Sequence, residues 1–475
     1  MGRMLSSKPY PARVPSRPVA PPQPTYPPAP VSRSAPLPAV SQPVRKVVRD
    51  VRPYRKVVVA FGLAALLVRF GVLPEVIYYI TGVNTYLLYI TVIPAIIASL
   101  VSGGWKQTFT LRAPYWWMAF FGWMILATPF SFWPGGSARF LLSYGRTDLV
   151  FLFIAGGLAV QWRDIRALYY TIAAAAVVNI LTAQFFADDS NGRISLTASG
   201  TIGNSNDLAA HLILVMPFML FVILDKKRSL FIRVPLILSI FYGLKIILGT
   251  ASRGALVAVL CGFAFMLWRA TPTQRAVSVA AAALLGVVFM AILPAATIGR
   301  LANLFGGEHY EAEVSGDVRS YLFKQSVNYT VHHPLFGVGP SQFANYEGTA
   351  RVAEAKVGVW KDPHFVFTQV SADDGIPALI FYVAGLISAL AAVIRTHRKA
   401  RQLKNIEVTN ACFCYLLAMV GFLVAGSLLP FAYHFYYPTM IGIAVSITVA
   451  AKRQFEESAA APAIAPRAPW ASPQF

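Results

Sequence analysis

Residues 231–268 read FIRVPLILSIFYGLKIILGTASRGALVAVLCGFAFMLW, which is two apolar segments separated by a short polar turn. A helix needs about 20 mostly apolar residues to cross the hydrocarbon core of a bilayer, so this stretch predicts a membrane-embedded helical hairpin. The turn contains one arginine, Arg253, between small residues. A charge at membrane depth is costly and usually faces a polar cavity, which makes Arg253 a candidate functional residue. The alternative is an arginine at a helix end that extends its head to the interface.

The rest of the chain has the same apolar character. Of its 475 residues, 56% are hydrophobic and 13% are charged, a balance outside the range of ordinary soluble domains. The predicted fold class is an all-α polytopic membrane protein with about 12 transmembrane helices and a large periplasmic loop between helices 9 and 10. The predicted spans are residues 57–72, 84–102, 114–132, 147–161, 167–186, 207–224, 231–248, 254–268, 276–294, 376–394, 408–428 and 432–450.

The positions of lysine and arginine predict the orientation. With the N-terminus in the cytoplasm, fifteen of these residues fall in the short inner loops and four in the short outer loops. Because basic residues concentrate in cytoplasmic loops, this distribution predicts an even number of spans with both termini cytoplasmic. Residues 1–56 account for about half of the +21 net charge and the inner loops for most of the remainder, so the charge does not indicate nucleic-acid binding.

The predicted organisation has five parts. We expect a disordered, Pro-rich, basic cytoplasmic tail whose end contacts anionic lipid headgroups; the alternative is a polyproline ligand for a cytoplasmic partner. The parts are the tail at 1–56, helices 1–9 at 57–294, a periplasmic loop with an amphipathic helix at 295–375, helices 10–12 at 376–450, and a second disordered cytoplasmic tail at 451–475.

The large outer loop contains a helix followed by a turn. Phe323, Val327 and Val331 are spaced as on one helical face. Pro334 ends this pattern, and the glycines of the following FGVGP segment permit a tight turn. These features predict a helix that lies over the membrane face as a lid or a substrate platform.

Reactive and cationic residues collect on the predicted outer side. Six of the seven histidines lie there, and Arg193 lies in the outer loop that precedes the sixth predicted span. Several cations at one vestibule favour a polyanionic ligand, and the planar fork of arginine suits phosphate oxygens.

Three stretches in a fixed order carry a family resemblance. They are GTIGNSNDLAAHLILVMP (200–217) followed by GTASRGALVAVL (249–260), then VRSYLFKQSVNYTVHHPLFGVGPSQF (318–343), then DPHFVFTQVSADDGIPALIFYVAGLI (362–387). Together they resemble the bacterial O-antigen ligase and O-antigen polymerase superfamily. The resemblance implies a glycosyltransferase of the inner membrane that needs no metal or cofactor. It would move a glycan from undecaprenyl diphosphate to a glycan or lipid acceptor on the periplasmic face, in lipopolysaccharide or exopolysaccharide biosynthesis.

The same resemblance implies roles for individual residues. Arg253 and Arg319 would bind the diphosphate, with Arg193 as a secondary contact, and His364 would be the general base on the acceptor hydroxyl. A histidine whose pKa lies near neutral pH suits that task. The chain departs from the ligase pattern directly after His364, where it has Phe365 and then Thr368. This departure leaves a polymerase open as the alternative.

Two other classes of protein are weighed against this interpretation. A metal-dependent oligosaccharyltransferase would use paired acids, for which Asp188 with Asp189 or Asp373 with Asp374 are candidates. A polysaccharide transporter or flippase would place polar groups near the membrane midplane, often in repeated halves, whereas the charges here collect at one face.

Overall fold

The computed structural model describes residues 55–188, 193–196, 201–302 and 310–460, and this part of the chain is almost entirely helical. Its helices are α1 (Arg55–Phe70), α2 (Leu73–Thr81), α3 (Leu87–Val101), α4 (Gly104–Thr108), α5 (Arg112–Ala127), α6 (Pro134–Tyr144), α7 (Val150–Leu158), α8 (Trp162–Phe186), α9 (Ser205–Leu224), α10 (Leu230–Gly249), α11 (Arg253–Arg269), α12 (Pro272–Ile292), α13 (Ala295–Ala302), α14 (Tyr310–His332), α15 (Phe343–Ala353), α16 (Val366–Gln402), α17 (Ile406–Ser427) and α18 (Tyr436–Ala460). A short antiparallel pair joins β1 (Ala187–Asp188) to β2 (Ser195–Leu196).

The helices confirm an all-α membrane protein. Within the described ranges, 7 helices are long and apolar enough to cross a membrane, or up to 8 if α1 and α2, which meet at 58°, form one bent span. Each of the predicted segments overlaps a helix, but α3, α5 and α11 have only 15, 16 and 17 residues. Length and composition therefore support a multi-pass protein, and the count of twelve stays a prediction.

Close packing between helices holds the membrane part together. α18 packs along α7, α17 along α9, and α16 along α5. Where α18 meets α7, a Cβ added at Gly442 would lie 2.7 Å from the carbonyl oxygen of Leu152. Small residues let membrane helices approach closely enough for dense van der Waals contact, so this glycine is required by the packing.

The predicted helix of the outer loop is present as α14, but its orientation differs from the expectation. The side chains of Phe323, Val327 and Val331 are 44%, 41% and 67% exposed. The buried face instead carries Leu322 and Tyr329, which pack against α15 and α16. The predicted apolar stripe thus lies on the accessible side of α14, because the neighbouring elements cover the opposite side.

The turn after α14 is fixed to a kink in α16. Gly375 has φ 86°, and its break separates a first segment of α16 from the long span that follows. The amide of Val338 donates to the carbonyl of Ala372 at 2.8 Å, and the amide of Ile376 donates to the carbonyl of Pro334 at 2.8 Å. A Cβ at Gly375 would lie 2.0 Å from the carbonyl oxygen of Leu335. The turn and the kink therefore fit each other only with glycine at this position.

The chain ends differ in part from the predicted tails. Residues 1–54 and 461–475 lie outside the described residues, together with most of both predicted tails. α18 continues to Ala460, ten residues beyond the predicted last span. The extension is anchored because Phe455 is buried and the ammonium of Lys399 lies 5.5 Å from its ring centroid.

Candidate functional site

The turn between α10 and α11 presents Arg253 at the start of a helix. Ala251 adopts a left-handed conformation with φ 50°, which reverses the chain. The hydroxyl of Ser252 then caps α11 by accepting a hydrogen bond from the amide of Ala255 at 3.4 Å. Arg253 is the first residue of α11, and its side chain is exposed. Small residues and a serine cap thus build a tight turn with a guanidinium at its end.

Arg193 holds this turn from the side. Its Nε donates to the carbonyl of Thr250 at 2.9 Å, and its Nη2 donates to Oδ1 of Asn206 at 3.0 Å. The amide of the next residue, Ile194, donates to the carbonyl of Gly249 at 2.9 Å. Arg193 therefore ties the start of α9 to the α10–α11 turn. These contacts give it a positioning role, and its predicted contact with phosphate stays a prediction.

Arg319 lies within electrostatic reach of Arg253, although the two residues come from elements far apart in the chain. The side chain of Arg319 reaches the surface of α14, yet surrounding protein atoms displace enough water to lower its pKa, and the positive charge of Arg253 lowers that pKa further. Within the described part of the chain, neither arginine forms an ion pair. The site therefore brings together two positive charges that have no acidic partner among the residues described.

His364 completes the group. Burial lowers its pKa to about 4, and the charges of Arg319 and Lys361 contribute to the same shift. The pKa is thus below the near-neutral value expected from the sequence, and the imidazole is uncharged at neutral pH. Its Nδ1 is buried and has no hydrogen-bond partner among the residues that the structure describes. A neutral histidine within electrostatic reach of Arg319 can accept a proton.

Aromatic rings form a wall beside these groups. The ring of Phe323, one helical turn after Arg319, meets the ring of Phe365 edge to face with centroids 5.6 Å apart. Phe365 follows His364 directly and is the residue at which the sequence departs from the ligase pattern. This contact connects α14 to the segment that carries His364.

Asp373 fastens the outer loop to the membrane helices. Its Oδ1 accepts hydrogen bonds from the amides of Gln342 and Phe343 at 2.9 and 2.8 Å, which caps the start of α15. The hydroxyl of Tyr433 contacts Asp373 Oδ2 at 3.1 Å and Asp374 Oδ2 at 2.7 Å. These oxygens therefore serve as acceptors in a structural network.

The sequence offers two pairs of adjacent aspartates as metal ligands. Asp373 and Asp374 belong to the network around Tyr433. Asp189 and the side chain of Asp188 lie outside the described residues. Over the ranges that the structure does describe, no group of three or more His, Cys, Asp or Glu side chains is placed to hold a metal ion.

A second cluster of charges, at the end of α1, was not predicted. Arg69 Nη2 lies 3.0 Å from Asp148 Oδ1, Arg69 Nη1 lies 3.9 Å from Glu75 Oε1, and the guanidinium lies 4.2 Å from the centroid of the Phe435 ring. Asp148 sits in a π-helical turn, Gly145–Leu149. The only sequence signal was an arginine at the end of an apolar span, and its partners are distant in the chain.

Comparison with known proteins gives a match to a protein-family model. Residues 238–383 match the family model described as O-antigen ligase. The match contains Arg253, Arg319 and His364, whereas Arg193 precedes it. No curated protein matches the chain.

Proposed function

Since the match of residues 238–383 supports membership of the O-antigen ligase and polymerase superfamily, we propose that the protein is an O-antigen ligase-like membrane glycosyltransferase. It transfers an oligo- or polysaccharide from undecaprenyl diphosphate to an acceptor at the periplasmic face of the bacterial inner membrane, without a metal. The observation that supports this function is the electrostatic neighbourhood of Arg253, Arg319 and a neutral His364, in which neither arginine has an acidic partner among the described residues. Both termini are cytoplasmic in this proposal.

The arginines act on the leaving group. As the bond between the anomeric carbon and the diphosphate oxygen breaks, negative charge grows on that oxygen. Cations fixed at this point stabilise the transition state more than the ground state. Arg253 and Arg319 repel each other in the unliganded site, so a bound diphosphate also relieves that repulsion. Arg193 holds the turn that carries Arg253 and is assigned a secondary contact with the same phosphates.

His364 acts on the acceptor. The acceptor hydroxyl oxygen attacks the anomeric carbon, its proton moves to the imidazole, and the diphosphate leaves with the bonding electron pair. The positive charge of Arg319 contributes to the low pKa of His364 in the unliganded site. A bound diphosphate neutralises part of that charge, so we expect the pKa of His364 to rise when the donor is present. Donor binding then strengthens the base.

The test of this function is glycan analysis of a deletion strain complemented with the wild-type protein, Arg253→Ala or His364→Ala. For a ligase, deletion leaves long lipid-linked chains that never reach the acceptor. Single repeat units instead would identify the polymerase alternative, which the departure at Phe365 and Thr368 keeps open. Both variants are expected to fail in complementation.

A matched control uses Arg139, an exposed arginine that is also on the predicted outer side and packs over the Trp133 ring at 5.1 Å. Arg139→Ala is expected to restore the full product. Full product from normally expressed Arg253→Ala and His364→Ala proteins would show that the site is placed wrongly.

A further inference from the structure

A cleft of about 250 Å³ lies between the beginning of α1 and the beginning of α8. The pattern of basic loops predicts that this end of α1 faces the cytoplasm. None of the residues around the cleft belongs to the proposed glycosyltransferase site. The lining residues are Arg55, Lys56, Val59, Ala60, Leu63, Arg163 and Asp164.

The cleft has an excess of positive charge. It has three cationic side chains and one carboxylate, that of Asp164. Asp164 Oδ2 accepts hydrogen bonds from the amides of Val160 and Gln161 at 3.1 Å each and lies 3.5 Å from Arg55 Nη2. Three cations share this one carboxylate, so the lining side chains carry a net charge of +2.

The two remaining cations, Lys56 and Arg163, are accessible. Lys56 is exposed, and the side chain of Arg163 is 65% exposed, with its Nε 3.7 Å from Asp164 Oδ1. The third cation, Arg55, contacts the protein itself, since its Nη2 also donates a hydrogen bond to the carbonyl of Leu158 at 3.0 Å. The cleft therefore offers one ammonium and one guanidinium to an anion.

Apolar side chains continue the cleft along α1. Val59 and Leu63 are one helical turn apart and half-buried, and Ala60 between them is exposed. Neighbouring residues of the same helix, Val57 and Phe61, are 51% and 39% exposed, as expected for a helix that faces lipid. A small soluble anion gains nothing from such a wall, whereas a molecule with a phosphate head and an acyl chain contacts both parts.

We propose that this cleft binds an anionic phospholipid of the leaflet at which α1 begins. Lys56 and Arg163 contact the headgroup phosphate, and an acyl chain lies against Val59 and Leu63. Basic pockets between membrane helices are suited to anionic headgroups. The bound lipid would connect α1 to α8. This inference does not depend on the proposed glycan transfer.

Native mass spectrometry of the full-length protein in detergent tests the proposal, with phosphatidylglycerol, phosphatidylcholine and inorganic phosphate as separate probes. The wild type is expected to retain phosphatidylglycerol in preference to phosphatidylcholine. The double variant Lys56→Gln/Arg163→Gln is expected to weaken that retention about tenfold, because it removes both accessible cations. Val59→Thr is also expected to weaken phosphatidylglycerol retention, because it places a hydroxyl where the acyl chain would lie. The volume of the side chain stays nearly the same.

The control is Lys226→Gln/Lys227→Gln, which removes the same charge from two exposed lysines between α9 and α10, on the same predicted face. This control is expected to keep the wild-type preference. Equal retention by the Lys56/Arg163 variant and the control would overturn the proposal. Inorganic phosphate that displaces phosphatidylglycerol at comparable concentration would also overturn it, because the ligand would then be a free anion.

Discussion

Arg69 and the pair of Arg253 and Arg319 represent opposite uses of arginine on the same predicted side of the membrane. Arg69 lies against Asp148 and Glu75 and over the Phe435 ring, with only 14% of its side chain exposed. Arg253 and Arg319 lie near each other without an acid among the described residues. A paired cation contributes to the fold, whereas neighbouring like charges oppose it unless an anion binds between them. The difference in partners therefore separates a structural arginine from the arginines that we propose to bind the diphosphate.

The largest loss of activity is expected from the substitution of His364, the proposed general base. His364→Ala removes the proposed proton acceptor and should reduce turnover about 10²- to 10⁴-fold, with little change in thermal unfolding. The comparison variant is His332→Ala on α14, whose exposed imidazole forms a hydrogen bond with the carbonyl of Asn328 at 2.9 Å. Transfer of glycan from purified lipid-linked donor measures both. Equal activity of the two variants would remove His364 from the mechanism.

The pH dependence follows from the same group. A base acts only when it is neutral, so activity is lost as the pH falls through its pKa. Because the pKa of His364 is lowered to about 4 in the unliganded protein, kcat/KM should stay flat from pH 8 to pH 6. A bound diphosphate raises this pKa, so kcat should begin to fall at a higher pH than kcat/KM. Coincident pH profiles for the two constants would contradict the coupling between donor and His364.

A somewhat smaller loss is expected from the arginines of the site. Arg253→Ala and Arg319→Ala each remove one of the two cations that we propose to contact the leaving group, and each should reduce turnover about 10²- to 10³-fold. Arg319→Lys keeps the charge but loses the planar fork, so it should retain an intermediate activity. Removal of like-charge repulsion predicts that the alanine variants unfold at no lower temperature than the wild type. A marked loss of stability would show that these arginines, like Arg69, have a structural role.

Arg69 should show the opposite pattern. Arg69→Ala leaves Asp148 and Glu75 without their cation in a largely enclosed place, and the expected loss is about 3 kcal/mol in the free energy of unfolding. Asp148→Asn should cost less, since Arg69 keeps Glu75. Thermal unfolding in detergent measures both changes. An inactive Arg69→Ala protein of wild-type stability would give this cluster a functional role and end the contrast with Arg253.

The smallest effect is expected on the stability with which α15 is attached to α16. Asp373→Ala removes the acceptor of the Gln342 and Phe343 amides, and the loss of such a cap costs about 1 kcal/mol. Asp373→Asn keeps one acceptor oxygen and should restore most of that stability. Proteolysis of the folded protein, followed at α15, reports the loosened attachment. Equal cleavage of the two variants would show that the cap does not hold the loop.

The sequence predicts the parts of this molecule that depend on local composition. Apolar runs locate the membrane helices, and Pro334 with the glycines after it locates the turn beyond α14. The ordered motifs also select Arg253, Arg319 and His364, which the structure places as electrostatic neighbours. Their chemical roles remain proposals.

The remaining features depend on contacts between distant residues. The spacing of Phe323, Val327 and Val331 predicts a helix but does not show which face α15 and α16 cover. The pairing of Arg69 with Asp148 joins residues 79 positions apart. The pKa of His364 depends on burial and on a charge from another helix. Local periodicity contains none of this information, because each feature arises only when separate elements pack together.

Binding of undecaprenyl diphosphate to the purified protein tests the central claim most directly. The account predicts binding to the wild type that is weakened by salt, about tenfold or more weaker binding to Arg253→Ala and Arg319→Ala, and unchanged binding to Arg139→Ala. Equal affinity across all four proteins would contradict the claim that Arg253 and Arg319 form the diphosphate site.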